Sequence, residues 1–137
     1  MGLIVDTSVL INAERAGKTV AEVFEAIFAI HGEVQVGISA VTLMELAHGV
    51  ERAKLEEHRR RRLAFLDDLT EDLPVHPVSG AIARRAGEIS GREAAKGIVL
   101  PFEDLLIGAT ALQIGFGVLT PNVRHSSLIP DLLVATV

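Results

Sequence analysis

Apolar residues follow two patterns along the chain, short continuous runs and recurrence at three- and four-residue spacing. The first is typical of buried strands and the second of amphipathic helices. The runs predict five strands, at residues 3–5, 34–39, 73–78, 116–120 and 132–137. The helical spacing predicts helices at residues 19–31, from the N-cap residue Ser39 through about residue 52, and at 55–71, 79–96 and 103–114. In the helix at 55–71, four leucines are expected to face the core: Leu55, Leu63, Leu66 and Leu69.

The order of these elements indicates the fold class. Strands that alternate with helices are typical of a mostly parallel sheet with helices on both faces. Pro74 and Pro77 lack a backbone donor, so the third strand is expected at an edge of the sheet. No repeat or linker divides the 137 residues. We therefore predict one α/β domain that spans residues 1–137.

The amino-acid composition and the N-terminal sequence indicate in which cellular compartment the protein is expected. The chain has no cysteine, which excludes disulfides and thiolate metal sites. No apolar stretch approaches about 20 residues, the length that spans a membrane. The N-terminus lacks the basic segment and the long apolar core of a signal peptide. These features predict a cytoplasmic protein with no membrane contact.

The charge distribution bears on nucleic-acid binding. A net charge of −5 argues against binding by bulk electrostatics. Ten of the 13 Lys and Arg residues nevertheless lie between Arg52 and Lys96. Arg59 to Arg62 are consecutive, and on a helix they point in several directions, so we interpret them as a solvated surface. The chain has no Trp or Tyr, which leaves few of the aromatic platforms on which single-strand binders stack bases.

The first strand ends in a carboxylate, Asp6. Asp6 has two possible roles: it caps the following helix, or it is a metal ligand. In parallel sheets, ligands bind beyond the carboxyl ends of the strands, where the strand order reverses. Thr120 and Asn122 follow the fourth strand. If the first and fourth strands are neighbours, these side chains should meet Asp6.

Three further polar residues interrupt apolar surroundings. Glu45 lies in "TLMELAHGV", Asp104 lies at the start of a helix in "LPFEDLLIGATAL", and Asn122 lies in "LTPNVRH". Each also has an ordinary structural explanation. Glu45 could reach water from a helix edge. Glu103 and Asp104 could favour a helix N-terminus, and Asn122 is a common turn or cap residue.

Together, four segments resemble the successive motifs of PIN-domain ribonucleases, and most closely those of VapC-type toxins from toxin–antitoxin pairs. The segments are "LIVDTSVLIN", "SAVTLMELAHGV", "LPFEDLLIGATALQIG" and "LTPNVRHSSLIPDL". The resemblance runs nearly end to end. It implies a three-layer α/β/α fold with strand order 3-2-1-4-5. It also implies an endoribonuclease that uses Mg²⁺ or Mn²⁺.

The resemblance assigns roles by position. Asp6, Glu45 and Asp104 match the acidic triad that holds the metal, and Asn122 matches a fourth catalytic position. Supporting roles fall to three hydroxyl residues: Thr7, Ser8 and Thr120. Arg124 is a candidate RNA contact because it is close to Asn122 in sequence. A metal also has a physical rationale, since three carboxylates in one pocket repel one another until a cation binds.

The resemblance further implies partners: an RNA substrate, a second copy of the chain, and a small VapB-like antitoxin that blocks the site. A mean hydropathy of +0.39 agrees with an association surface. Two alternatives stay open. One is a PIN-like module that has lost catalysis and only binds RNA or protein. The other is a metal-dependent nuclease that acts on DNA or in RNA maturation, without a role as a toxin.

Overall fold

The computed structural model of the protein describes all 137 residues, from Met1 to Val137. Five strands alternate with seven helices. The strands are β1 (Gly2–Val5), β2 (Gln35–Ser39), β3 (Val75–His76), β4 (Gly117–Leu119) and β5 (Val134–Ala135). The helices are α1 (Thr7–Arg15), α2 (Val20–His31), α3 (Ala40–Glu51), α4 (Glu56–Asp72), α5 (Gly80–Ala95), α6 (Phe102–Ile114) and α7 (Val123–Ser126).

The five strands form one parallel sheet in the order β3-β2-β1-β4-β5. The predicted strand order and the α/β fold class are both confirmed. From β1 the chain adds strands on one side, β2 and β3, and then on the other side, β4 and β5. The strand order thus reverses between the parallel neighbours β1 and β4, where Val5 pairs with Leu119. The next residues, Asp6 and Thr120, therefore leave the sheet side by side. The Asp6 N–H extends the pairing by donating to the Leu119 carbonyl at 2.9 Å.

Alternate residues of each strand point to opposite faces of the sheet, and both faces are covered. Leu3 and Val5 of β1 pack into a core with side chains from α1, α2 and α4. Ile4, on the other face, packs against α6 at Ile107. A further apolar cluster joins α5 to α6. The result is the expected α/β/α layering. No helix is both long and apolar enough to cross a membrane.

Strand β3 confirms the edge position that its prolines predicted. It pairs only with β2, and the Pro74 carbonyl accepts a hydrogen bond from Ile38 N at 3.1 Å. Proline can supply a carbonyl to a sheet but no donor. The strands predicted at 73–78 and 132–137 were too long, since only two residues of each form a ladder.

One expectation for α4 was wrong. Leu66 and Leu69 are buried as predicted, but Leu55 is 56% exposed and Leu63 is 37% exposed. Leu55 precedes the helix as its N-cap residue. Leu63 lies about 110° around the helix axis from the centre of the buried stripe, which Phe65 completes.

Candidate active site

A cavity of about 250 Å³ lies at the carboxyl end of β1, where the sheet topology reverses. Four parts of the chain form its wall: the start of α1, the middle of α3, the first turn of α6, and the turn before α7. The lining residues are Asp6, Thr7, Ser8, Ile11, Glu45, Glu103, Asp104, Ile107 and Asn122. The structure thus brings the three predicted acids together with Asn122, although they are far apart in sequence. We call this the acidic cavity.

Asp6 occupies the N-cap position of α1, but its side chain caps no backbone N–H. Its Oδ2 atom instead accepts hydrogen bonds from Ser8 Oγ at 2.6 Å and from Thr120 Oγ1 at 2.9 Å. The predicted meeting of Asp6 with Thr120 is confirmed. The backbone of Asp6 starts a helix, while two hydroxyl groups hold its carboxylate at the cavity.

Glu45 is half-buried on α3 and is held by a threonine of α1. Thr7 Oγ1 donates to Glu45 Oε1 at 2.8 Å and lies 2.9 Å from Thr42 Oγ1. Both threonines are buried. The position of the Glu45 carboxylate is therefore tied to the packing of α1 against α3.

Asp104 is half-buried in the first turn of α6, where the helix dipole favours a negative charge. Its Oδ2 atom lies 2.8 Å from His125 Nδ1 on α7. Asn122 is the N-cap residue of α7, and its side chain accepts a hydrogen bond from Arg124 N at 3.3 Å. The Arg124 side chain is exposed and does not line the cavity.

Comparisons with known proteins agree with this geometry. Residues 3–128 match the PIN domain family, a range that contains every residue of the acidic cavity. The whole chain is 33% identical to Ribonuclease VapC of Rickettsia bellii and covers 97% of it. The chain belongs to the VapC ribonuclease family of PIN-domain proteins.

Two solved structures show how closely the fold follows the VapC family. VapBC2 from Rickettsia felis, solved with a DNA fragment from its promoter, superposes with a TM-score of 0.85. The superposition covers all of this chain and 99% of that one at 21% identity, and it shows the fold alone. VapBC-5 from Mycobacterium tuberculosis, a member of a toxin-antitoxin family, gives a TM-score of 0.73 at 27% identity, covering 99% and 97% of the two chains.

Burial and crowding of the acids in the acidic cavity raise the pKa values of two of them, Glu45 and Asp104. Burial is the main cause that raises the pKa of Glu45, and the charges of Glu103, Asp6 and Asp104 raise it further. The hydrogen bond from Thr7 opposes this rise. Burial likewise raises the pKa of Asp104, and the hydrogen bond to His125 opposes it. Both carboxylates would be stabilised by a positive charge within the cavity.

The donor set suits a hard divalent cation. Each acid of the triad gives one oxygen to a hydrogen bond with the protein, while its second oxygen has no protein partner. Carboxylates that ligate metals are commonly oriented by hydrogen bonds from neighbouring protein groups. The acids do not stand in a ready cluster, however, since no three His, Asp or Glu side chains in the chain are placed to hold one ion together. Mg²⁺ tolerates this arrangement because it keeps several waters and needs only one or two carboxylates.

Two polar residues in or next to the acidic cavity were not assigned to it from the sequence. Glu103 lines the cavity beside Asp104, whereas its sequence context predicts only a charge that favours the helix N-terminus. His125 contacts Asp104 across 21 residues of sequence. The "ED" pair and the "RH" pair were visible in the sequence. Neither pair, however, indicates which way its side chains point.

Proposed function

We propose that this chain is an endoribonuclease that cleaves RNA phosphodiester bonds with the help of Mg²⁺ or Mn²⁺. We also propose that it serves as the toxin of a toxin–antitoxin pair. One observation carries the proposal: three carboxylates from distant motifs line one cavity, and each is held through a single oxygen. Membership of the VapC ribonuclease family, shown by full-length similarity, supports the same conclusion.

We assign the cation to Asp6, Glu45 and Asp104, through the oxygens that have no protein partner. Because no three of these side chains are placed to hold one ion together, one or two of them would ligate it directly and waters would complete its coordination. A bound divalent cation supplies positive charge at the phosphate and a more acidic water as nucleophile. We assign Asn122, which lines the same cavity, to the fourth catalytic position. Glu103 adds negative charge that strengthens cation binding.

Hydrogen bonds around the acids prepare the site before RNA arrives. Ser8 and Thr120 fix Asp6, Thr7 fixes Glu45, and His125 fixes Asp104. Preorganised groups need little rearrangement when the reaction develops charge. Their contribution is to position the carboxylates, and we assign them no proton transfer.

The test is cleavage of a generic RNA by purified protein with Mg²⁺, Mn²⁺ or EDTA. Asp6→Asn and Asp104→Asn should each lower cleavage by about a hundredfold or more, because an amide is a far weaker ligand than a carboxylate. Asp68→Asn, on the exposed surface of α4, is the matched control and should cleave normally. Full activity of either site variant, or undiminished cleavage in EDTA, would reject the assignment. RNA binding without any turnover would favour the catalytically silent module.

For partners, we propose a small antitoxin that covers the acidic cavity and a second copy of this chain. Two exposed apolar side chains near the acids suit a protein partner. Phe102 and Met44, each adjacent in sequence to an acid of the cavity wall, are 73% and 63% exposed.

Growth of cells that express the chain with and without the neighbouring gene tests the antitoxin. Light scattering at micromolar concentration tests the dimer, and a monomer there would reject it. Since its proposed substrate is cellular RNA, we place the protein in the cytoplasm.

A further inference from the structure

A second cavity, of about 900 Å³, adjoins the acidic cavity and shares Ile11 and Glu45 with it. Its wall is formed by the last turns of α1 and α3, the turn between α3 and α4, and the first turns of α4. Six basic side chains line it: Arg15, His48, Arg52, Lys54, His58 and Arg62. We call it the basic cavity. A pocket rich in basic side chains thus adjoins one lined by carboxylates, and Glu45 lies on the wall that they share.

The four Lys and Arg residues of the basic cavity have no acidic partner. None of them forms a salt bridge, whereas six of the other nine Lys and Arg residues in the chain do. The net charge is −5, so a general excess of basic residues does not explain this concentration. Like charges held near one another repel, and an anionic ligand relieves the repulsion.

Of the four consecutive arginines, Arg59 to Arg62, only Arg62 lines the basic cavity, and it is the only one without a salt bridge. Arg59 and Arg60 pair with glutamates of α3 and α4, and Arg61 pairs with the buried Glu14 at 3.1 Å. Arg62 differs, since its Nη1 atom donates to the Gly49 carbonyl at 2.7 Å. That bond fixes the guanidinium in the cavity wall without neutralising its charge. Arg62 is therefore part of a cavity wall and not of the solvated surface that the sequence predicts for the run.

We propose that the basic cavity binds backbone phosphates of the RNA strand on one side of the bond that is cut. The proposal rests on the ribonuclease function above and names residues that position its substrate: Arg15, Arg52, Lys54 and Arg62. Arg15 lies eight residues along α1 from Thr7, about 12 Å at 1.5 Å per residue. A strand that crosses the acidic cavity can therefore continue along α1 into the basic one.

The lining also predicts the kind of contact. No Phe, Tyr or Trp side chain is among the residues of the basic cavity, so the large aromatic platforms on which single-strand binders stack bases are absent from it. Contacts from Lys and Arg to phosphates set the register of a strand but carry no sequence information. We therefore expect the basic cavity to strengthen binding of all single-stranded RNA to a similar degree.

The experiment measures binding of a fluorescent single-stranded RNA in EDTA, over a range of salt concentrations. Arg52→Gln/Lys54→Gln removes two exposed charges of the basic cavity. Lys18→Gln/Arg85→Gln is the matched control, because it removes two exposed cations that form no salt bridge and lie outside the cavity. Both double variants lower the net charge equally, so a difference between them reports position alone.

We expect the cavity variant to bind about tenfold more weakly at moderate salt, and the control within about twofold of wild type. The slope of log K against log salt should fall in magnitude by about 1.4 in the cavity variant only, at about 0.7 per phosphate contact. With metal, its KM for RNA should rise while kcat at saturating RNA stays unchanged.

Equal affinities and slopes for the two variants would overturn the proposal, as would a wild-type protein that binds no RNA at low salt. Loss of binding to the antitoxin with unchanged RNA affinity would also overturn it, and would assign the basic cavity to a protein partner. Because binding is measured in EDTA, the result does not depend on cleavage. Failure of the ribonuclease proposal can therefore be told apart from failure of this one.

Discussion

At the scale of single residues, hydroxyl groups determine how the acids of the site are presented. Thr7 illustrates this because its buried hydroxyl is the one protein group that holds the Glu45 carboxylate. The same hydrogen bond lowers the pKa of Glu45 against the effect of burial. One small side chain thus affects both the position and the ionisation of a proposed metal ligand.

Thr7→Val, which keeps the shape and removes the hydroxyl, should lower cleavage by about tenfold at neutral pH. Without the hydrogen bond the pKa of Glu45 rises, so more of the carboxyl is protonated at low pH. The acidic limb of the pH–rate profile should therefore move to higher pH. Thr7→Ser, which retains a hydroxyl, should restore both values. A profile that does not move would show that Thr7 contributes only packing.

His125 and Glu103 show what a single residue's sequence context cannot reveal. The contact between His125 and Asp104 depends on α7 packing against α6, and α7 is only four residues long. So short an element has no periodicity to detect. The three acids were individually ambiguous as well. Their assignment came from the family resemblance, and the structure then placed them around one cavity.

At the scale of elements, most strands and helices followed from apolar patterning, and the exceptions have physical causes. Helix α1 was not among the predicted helices, and its buried face includes the charged residue Glu14. Glu14 is only 7% exposed and pairs with Arg61, which is 47 residues away in sequence. A buried polar group whose partner lies on another helix cannot be recognised from local sequence. The two-residue strands were overestimated because pairing depends on neighbours across the sheet.

Helix α3 links sheet geometry to the site, because it begins at the end of β2 and carries Thr42 and Glu45. Its N-cap is Ser39, as predicted, and the buried Ser39 hydroxyl accepts a hydrogen bond from Val41 N at 3.1 Å. A cap of this kind fixes where a helix starts. The start of α3 in turn sets the distance between Glu45 and the end of β1.

Ser39→Ala should lower the free energy of unfolding by about 1 kcal/mol and cleavage by about three- to tenfold. Ser79→Ala is the matched control. Ser79 caps α5 through Ile82 N at 3.2 Å, and α5 contributes no residue to the acidic cavity. It should cost similar stability, measured by urea unfolding, with cleavage unchanged. Equal loss of cleavage in both variants would mean that general stability, and not the position of α3, limits activity.

At the scale of the whole molecule, the parallel sheet concentrates negative charge where its topology reverses. Strands β1 and β4 deliver Asp6 and Thr120 to one edge, and α3 and α6 bring Glu45 and Asp104 to the same place. Repulsion among these acids opposes folding whenever they are ionised without a cation. The site should therefore influence the stability of the whole domain.

The sign of that influence follows from the raised pKa values of Glu45 and Asp104, whose ordinary values are 4.5 and 3.8. A group whose pKa is higher in the folded state contributes stability below its ordinary pKa. That contribution is lost as the pH rises through the raised value. In EDTA, the acidic cavity should thus lower the stability of the wild type increasingly as the pH rises above about 4.

Glu45→Gln removes the charge but keeps an oxygen that can accept from Thr7. In EDTA at pH 7 its Tm should exceed that of wild type by about 1 to 3 °C, a small shift because the site is half-exposed to water. At pH 4 the difference should vanish, since the raised pKa leaves Glu45 of the wild type largely neutral, as the glutamine of the variant always is. Millimolar Mg²⁺ should raise the Tm of the wild type more than that of Glu45→Gln, because a cation that binds only the folded state stabilises it. Glu25→Gln, on the exposed surface of α2, should follow the wild type throughout. If Glu45→Gln follows it too, with and without Mg²⁺, repulsion at the acidic cavity has no effect on folding and Glu45 is not a metal ligand.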